Sequence, residues 1–504
     1  MAEITRRFLL ADQPEVFSST AETSRAVGAA VRRGQARKVG PRLYTRNVED
    51  PIEDVVRRNW QRIATAYFPG AVVVDRSAFE AKPSADGSLF LDAGPDYSVR
   101  RPIRLPGLTL RSRKGAGPID GDMPFMEDLH FAGQARKFLD NLRPSRTRGD
   151  GVSRTLSRAE IEDELTRIAA QRGTEALNEL RDRAEEIAPA LGAEREMAML
   201  DDLIGAVQGT RDVELATAAA RAQRQGMGFD PRRLELFETL QAHLLQDPQP
   251  ERSERTGSLP ALSFIEAYFS NWIEGTEFAV DEAEEIVFEG AIPDGRFEDA
   301  HDVLGTFELV NDGDRRARTP RDADELLALL RSHHGLMLAR RPAARPGFFK
   351  AKPNQAGGTT FVHPDLVEGT LREGFRYLAP LPSGLSRAIF MMFLVSEVHP
   401  FTDGNGRVAR VLMNAELTAT EEQRIVIPLS YRDDYLQSLR ALSRSSNPRP
   451  LVRVLDFAQQ YAAAIDWSDL RTAKAMLTQT NAFVPPDVAE EKGLRLRLPE
   501  NPPA

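Results

Sequence analysis

One short segment concentrates the residue types that phosphate chemistry needs: His399, Pro400, Phe401, Thr402, Asp403, Gly404, Asn405, Gly406, Arg407, Val408, Ala409 and Arg410. His399 has a side chain that titrates near neutrality and can take a proton from an attacking hydroxyl. Asp403 offers a hard oxygen suited to a Mg²⁺ shared with phosphates. Gly404-Asn405-Gly406 at the start of a helix exposes unpaired N–H groups at the positive end of the helix dipole, which is a ready anion site. Arg407 and Arg410 are three apart, lie on one helix face and can flank a chain of phosphates. Phe401 points the other way, as an anchor in the core. Taken singly, each feature is commonplace: a His before Pro is usually structural, and Asp-Gly-Asn-Gly is usually a turn. Jointly they make a base, a metal ligand, an anion hole and two arginines.

Two helices must position this loop. An apolar helix is predicted over 385–398 ahead of it, and another over 408–420 after it. Gly404 and Gly406 permit backbone conformations that a Cβ would oppose.

The rest of the chain sets the context. At 504 residues the length predicts about three or four domains. The 41% hydrophobic and 28% charged content is that of a globular protein with material for more than one core. The longest apolar run, 388–395, is eight residues, far short of the roughly 20 that span a bilayer. Arg6 and Arg7 precede only a four-residue apolar stretch, 8–11, too short for a secretory signal. Zero cysteines exclude disulfides, thiolate metal sites and cysteine nucleophiles. These readings predict a cytoplasmic protein.

The net charge of −9 is uneven: Arg25, Arg32, Arg33, Arg37, Lys38, Arg42 and Arg46 lie between Thr23 and Val48 with no acid among them. Such an island is either a phosphate-facing surface or a solvated helix face. A helix over 21–33 closing at Gly34, then two short strands about Gly40-Pro41, outlines a winged helix-turn-helix-like domain over 1–60. Residues 61–250 read as strands followed by a helix-rich block, 251–260 as a linker, 261–485 as a mostly helical domain, and 486–504 as a tail. The expected fold class is multi-domain and mainly α: an all-α core with a β-hairpin, preceded by the winged helix and an α+β middle region.

Residues 399–410 match the full HxFx(D/E)GNGRxxR signature, and the chain resembles the Fic-domain proteins, which most often transfer AMP from ATP to a Ser, Thr or Tyr hydroxyl. The resemblance implies His399 as general base and Asp403 as the Mg²⁺ ligand. It implies Gly404, Asn405 and Gly406 as the phosphate cradle, and Arg407 and Arg410 as the grip on the β/γ end of ATP. Gly347, Phe348, Phe349 and Lys350, with Thr359, Thr360, Phe361 and Val362 around 354–358, resemble the family's flap. That hairpin would pair with the target by strand addition, through Phe349, Lys350, Thr360 and Phe361. Tyr431, Arg432, Asp433, Asp434 and Tyr435 resemble the segment lining the adenine pocket, which puts Tyr435 near the base. Ser270, Asn271, Trp272, Ile273, Glu274 and Gly275 resemble the (S/T)xxxE(G/N) inhibitory motif carried on a helix. The Glu274 carboxylate would pair with Arg410 and take the place of the γ-phosphate.

The N-terminal half resembles AbiEi-type antitoxins and related winged-helix regulators, through Pro69-Gly70-Ala71-Val72 and Arg76-Ser77-Ala78. That resemblance implies DNA contacts by Arg32, Arg33, Arg37, Lys38 and Arg42, weakened by salt, and is compatible with a homodimer. The expected activity is an autoinhibited protein adenylyltransferase using ATP and Mg²⁺ on a target protein and on itself. The alternatives are a DNA-binding, antitoxin-like regulator with the Fic domain as nucleotide sensor, or a Fic enzyme that removes AMP or uses another donor.

Overall fold

A computed structural model describes residues 9–98, 101–126, 128–145, 152–253, 257, 259–356 and 359–500. The chain is mainly helical and divides into two compact units. One comprises the residues up to Ala169 with Thr174–Arg224, the other Ala170–Gly173 with Gln225–Ala504.

In the first unit the strands Val16–Ser18, Leu43–Thr45 and Arg37–Gly40 form a small antiparallel sheet after and before the helix Ser24–Arg32. Gly34, at φ +72°, ends that helix as the sequence predicts. The helix opens at Ser24, because Thr20 and Thr23 bond each other's backbone N–H groups and hold 20–23 as a turn. The expected boundary at residue 60 is not a boundary of the core. Val16, Val39 and Leu43 pack in one apolar cluster with Trp60, Ile63, Val73, Leu89 and Leu110. A six-stranded mixed sheet follows, in the order Ile103–Leu105, Leu108–Arg113, Ser88–Asp92, Val72–Val73, Leu129–Phe131, Met123–Phe125. On the helix Gln134–Asn141 that follows the sheet, Arg136, fully buried, is held by Asp92 at 2.7 Å and Asp122 at 2.5 Å. Helices Glu175–Leu191 and Glu194–Val207, with most of Arg158–Arg172, add a helical block to the unit.

The second unit is built around the helix Leu385–Val398, which matches its predicted bounds and buries all but two of its 14 residues. Helix Asn405–Thr418 packs along it, starting three residues earlier than predicted because Gly404, at φ +73°, is its N-cap. The helix Pro231–Gln246 also belongs here. Its Leu236, Phe237, Leu240 and Leu244 enter the same apolar core. The division of the chain at Arg224/Gln225 therefore falls ahead of the linker expected at 251–260, of which 254–256 and 258 lie outside the described residues. Helix Leu259–Ile273 runs against Phe297–Asn311 in a second cluster with Tyr461 and Trp467. No helix among the described residues is long and apolar enough to cross a membrane.

Candidate active site

The loop between the two central helices is shaped by its own side chains. His399 closes the first helix in the left-handed region, at φ 54°. Phe401 is fully buried, stacked face to face on His334 at 3.8 Å between ring centroids and 3° between planes. The Asn405 side chain, expected to cradle phosphates, instead bonds twice to Phe401, accepting from its N–H at 2.8 Å and donating to its carbonyl at 3.0 Å. It fixes the loop and leaves the first-turn N–H groups of the Asn405–Thr418 helix, with no side-chain cap, as the groups that could bind an anion. His334 was not singled out in the sequence. Its Nδ1 accepts from the Gly347 N–H at 2.9 Å, so Nε2 carries the proton donated to the Asp403 carbonyl at 3.1 Å.

His399 presents the geometry of a base. Its Nδ1 lies 3.3 Å from the Ser396 carbonyl, which can only accept, so the proton sits on Nδ1 and the Nε2 lone pair is left for a substrate. Burial, followed by the positive charge of Lys350, holds its pKa down at about 4. The ring is stacked on Phe361 at 3.7 Å and 5°.

The two arginines have different settings. Arg410 is 4% exposed. Its Nε donates to Ser270 Oγ at 3.0 Å, and its Nη2 donates to the Ser270 carbonyl at 2.9 Å and to Glu274 Oε1 at 2.8 Å. The Glu274 side chain keeps 26% exposure and sits in the turn just past the helix Leu259–Ile273, with its N–H bonded to Asn271. A Cβ at Gly406 would collide with the Glu274 carboxylate. Glu274 therefore stands over the first turn of the Asn405–Thr418 helix, where an anion would bind. Arg407 is gripped from behind: Nη1 donates to Asp302 at 2.7 Å and to Asn271 at 3.1 Å. Its Nε has no hydrogen-bond partner among the described residues, so one buried donor remains for an anion. Asp302, also bound to Arg341 Nε at 2.9 Å, and Asn271 were not singled out as site residues, because 105 and 136 residues of sequence separate them from Arg407.

Asp403 keeps half of its side chain exposed; Oδ1 accepts from the Gly404 N–H at 2.7 Å, and Oδ2 stands 3.7 Å from Arg407. No cluster of three or more His, Cys, Asp or Glu residues with metal-binding geometry occurs among the described residues. One open carboxylate oxygen fits a Mg²⁺ that takes its other ligands from phosphates and water.

Three expectations for the periphery are corrected. Tyr435 cannot face an adenine. It is 1% exposed on the inward face of the helix Arg432–Ser445 with Ser438 and Leu442, and its hydroxyl meets Arg410 and Met392. Phe349 and Lys350 are not on the exposed hairpin, whose strands are Gln355–Ala356 and Thr359–Thr360; Gly357 and Gly358 lie outside the described residues. Phe349 packs on Phe401 at 5.2 Å. Lys350 is buried, its N–H bonded to the Pro400 carbonyl and its Nζ to Asn354 Oδ1 at 2.7 Å. Asn354 Nδ2 reaches the Phe401 carbonyl at 3.0 Å. These residues tie the foot of the hairpin to the 399–404 loop. Thr360 is on the hairpin, and Phe361 follows it, half-buried and stacked on His399. In the N-terminal unit Arg32, Arg33, Lys38 and Arg42 are exposed. Arg37 is instead folded back onto the carbonyls of Asn47 at 3.0 Å and Asp50 at 2.5 Å.

Comparison with known proteins agrees with this site. Residues 324–417 match the Fic/DOC family model. The chain is 25% identical over 299 residues to the protein adenylyltransferase Fic of Drosophila melanogaster, covering 56% of this chain and 58% of that protein. It is 25% identical over 199 residues to protein adenylyltransferase fic-1 of Caenorhabditis elegans, 38% of each. The solved structure of Fic-1 from C. elegans aligns with 64% of this chain and 93% of its own, at 19% identity and a TM-score of 0.35. The chain thus spans little more than half the length of the fly protein, and it carries a Fic domain.

Proposed function

We propose that the Fic domain of this chain is a protein adenylyltransferase held at rest by Glu274, moving AMP from ATP to a Ser, Thr or Tyr hydroxyl of a target protein and of the chain itself. The observation that carries this reading is the pairing of Glu274 with Arg410 directly over Gly406. A carboxylate in that place competes with the terminal phosphate of ATP for the same guanidinium and helix end. ATP bound around it would lie out of line for attack at the α-phosphorus.

With the carboxylate withdrawn, His399 Nε2 takes the proton of the target hydroxyl as its oxygen bonds to the α-phosphorus. The bond to pyrophosphate breaks on the opposite side. The helix N-terminus and Arg410 then hold the phosphates. Asp403 would hold Mg²⁺, which when bound neutralises phosphate charge. The test is incubation of wild type, Glu274→Gly and Glu274→Gly/His399→Ala with Mg²⁺ and α-labelled ATP. Label on protein with the single variant and none with the double is expected. No label with any of the three would overturn the reading.

For the first unit we infer a DNA-binding role through Arg32, Arg33, Lys38 and Arg42, on the support of their exposure around the Arg37–Gly40 and Leu43–Thr45 hairpin. Binding to the gene's own upstream DNA should fall steeply with salt. No shift at low salt would sink this reading.

A further inference from the structure

The hairpin also borders a cleft of about 400 Å³, on the side of the Pro231–Gln246 and Arg432–Ser445 helices. Arg232, Arg233, Thr359, Thr360, Phe361 and Arg444 contribute to its wall. Phe361 is the ring stacked on His399 at 3.7 Å, so the cleft lies one aromatic ring from the base.

Its charge is one-sided. Arg233 is buried and neutralised: Nε stands 2.9 Å from Glu397 Oε1, and Nη2 donates to the Thr360 carbonyl at 2.6 Å. That bond fixes the hairpin as one wall of the cleft. Arg232 and Arg444 are exposed. Arg444 donates to Thr359 Oγ1 from Nε and Nη2 at 3.2 and 3.0 Å, and neither arginine has a carboxylate within ion-pair distance among the described residues. The acid in the lining, Asp230, is 7% exposed and caps the Pro231–Gln246 helix by accepting from the Arg232 N–H. The positive end of that 16-residue helix adds to the field.

We propose that this cleft receives the carboxylate of an Asp or Glu side chain of the target, between Arg232 and Arg444, while the target segment lies along the hairpin. The inference rests on the adenylyltransferase reading, since it concerns the substrate of that same site. ATP does not supply this anion, because its phosphates belong at the Gly406 end of the loop, beside Arg410. An extended segment advances about 3.3 Å per residue. A carboxylate about two to four residues from the modified hydroxyl would therefore reach the arginines while the hydroxyl meets His399.

The experiment uses the full chain carrying Glu274→Gly, Mg²⁺, α-labelled ATP and a peptide library. Each peptide has a central Thr, and one flanking position is fixed as Glu, Gln or Lys. At one or two flanking positions Glu should be labelled about fivefold or more over Lys, as expected for a carboxylate held between two arginines. Arg232→Glu/Arg444→Glu should reverse the preference towards Lys. Both side chains are exposed, so an unchanged melting profile serves as the folding control. A second arm reads binding without catalysis: fluorescence anisotropy of Glu-flanked against Lys-flanked peptide on the same proteins, at low and high salt. Labelling or binding with no preference, or a preference that the double variant leaves unchanged, overturns the inference alone. Absence of label on peptides and on the chain itself, with a reversible Glu preference in binding, overturns the adenylyltransferase reading and keeps the acidic docking cleft.

Discussion

Glu274 Oε1 lies 2.8 Å from Nη2 of Arg410, although 136 residues separate them in sequence. The same guanidinium is held by Ser270 through both its hydroxyl and its carbonyl. The first and fifth residues of one short motif thus fix a single arginine from two sides. Ser270 orients it, and Glu274 neutralises it.

Ser270→Ala should release part of this restraint. The Arg410–Glu274 pair and the carbonyl bond remain, so labelling from α-labelled ATP is expected a few-fold above wild type, losing about 1 kcal/mol of restraint. It should stay well below that of Glu274→Gly. Labelling equal to wild type would show that the Ser270 hydroxyl takes no part in restraint.

Gly406→Ala tests the position rather than the charge. The added methyl enters the space now held by the Glu274 carboxylate, which is also where phosphate must approach the helix end. In the Glu274→Gly background it should therefore lower labelling, by roughly tenfold or more for a misplaced reacting phosphate. Unchanged labelling would place the phosphates elsewhere.

The pH dependence follows from His399. Burial and the Lys350 charge depress its pKa to about 4, while Glu274 and Asp403 pull it the other way. A depressed value favours the neutral imidazole in the folded state. The base is then fully available at neutral pH, and activity is lost as pH falls through about 4. Stability from this group is present above its ordinary value near 6.5 and is lost over the same descent. Burial also brings Lys350 down to about 7, so its effect on His399 is strongest on the acid side. In the Glu274→Gly background, Lys350→Met should move the acid limb of the kcat profile upward; an unmoved limb would discount the charge of Lys350.

Asp302→Ala should destabilise the second unit. It leaves Arg407, 2% exposed, without its ion-pair partner at 2.7 Å and removes an acceptor from Arg341. Breaking a buried pair from one side costs about 3 kcal/mol or more. Differential scanning fluorimetry should show an earlier transition, with Asp302→Asn intermediate. A melt like that of wild type would contradict the structural weight given to the pair.

Much of the site was legible because its parts are contiguous. The segment from His399 to Arg410 carries the proposed base, the carboxylate proposed for Mg²⁺ and the helix start within a dozen residues. The apolar run of Leu385–Val398 has the length and patterning of a buried helix. Local spacing encodes such features directly. It also marked Ser270 and Glu274, since both lie on one short motif.

Other assignments depended on the direction of a side chain, which spacing does not give. Asn405 turned inward to build the loop, Arg407 turned back to Asp302 and Asn271, and Tyr435 went under Arg410 instead of towards a base. Each is a buried polar group that must find a partner; for Asn405 it is the backbone of Phe401 in the loop, and for Arg407 and Tyr435 it comes from another helix. The stacking of His334 on Phe401 and of Phe361 on His399 has the same origin. The sequence by itself determined which residue types stand together and which loop between two helices carries them. Only the tertiary structure decided which arginine the Glu274 carboxylate meets, what holds the hairpin, and where a positive cleft opens beside Phe361 and His399. Those contacts join helices far apart in the chain, and only the packing of the core brings them within hydrogen-bond distance.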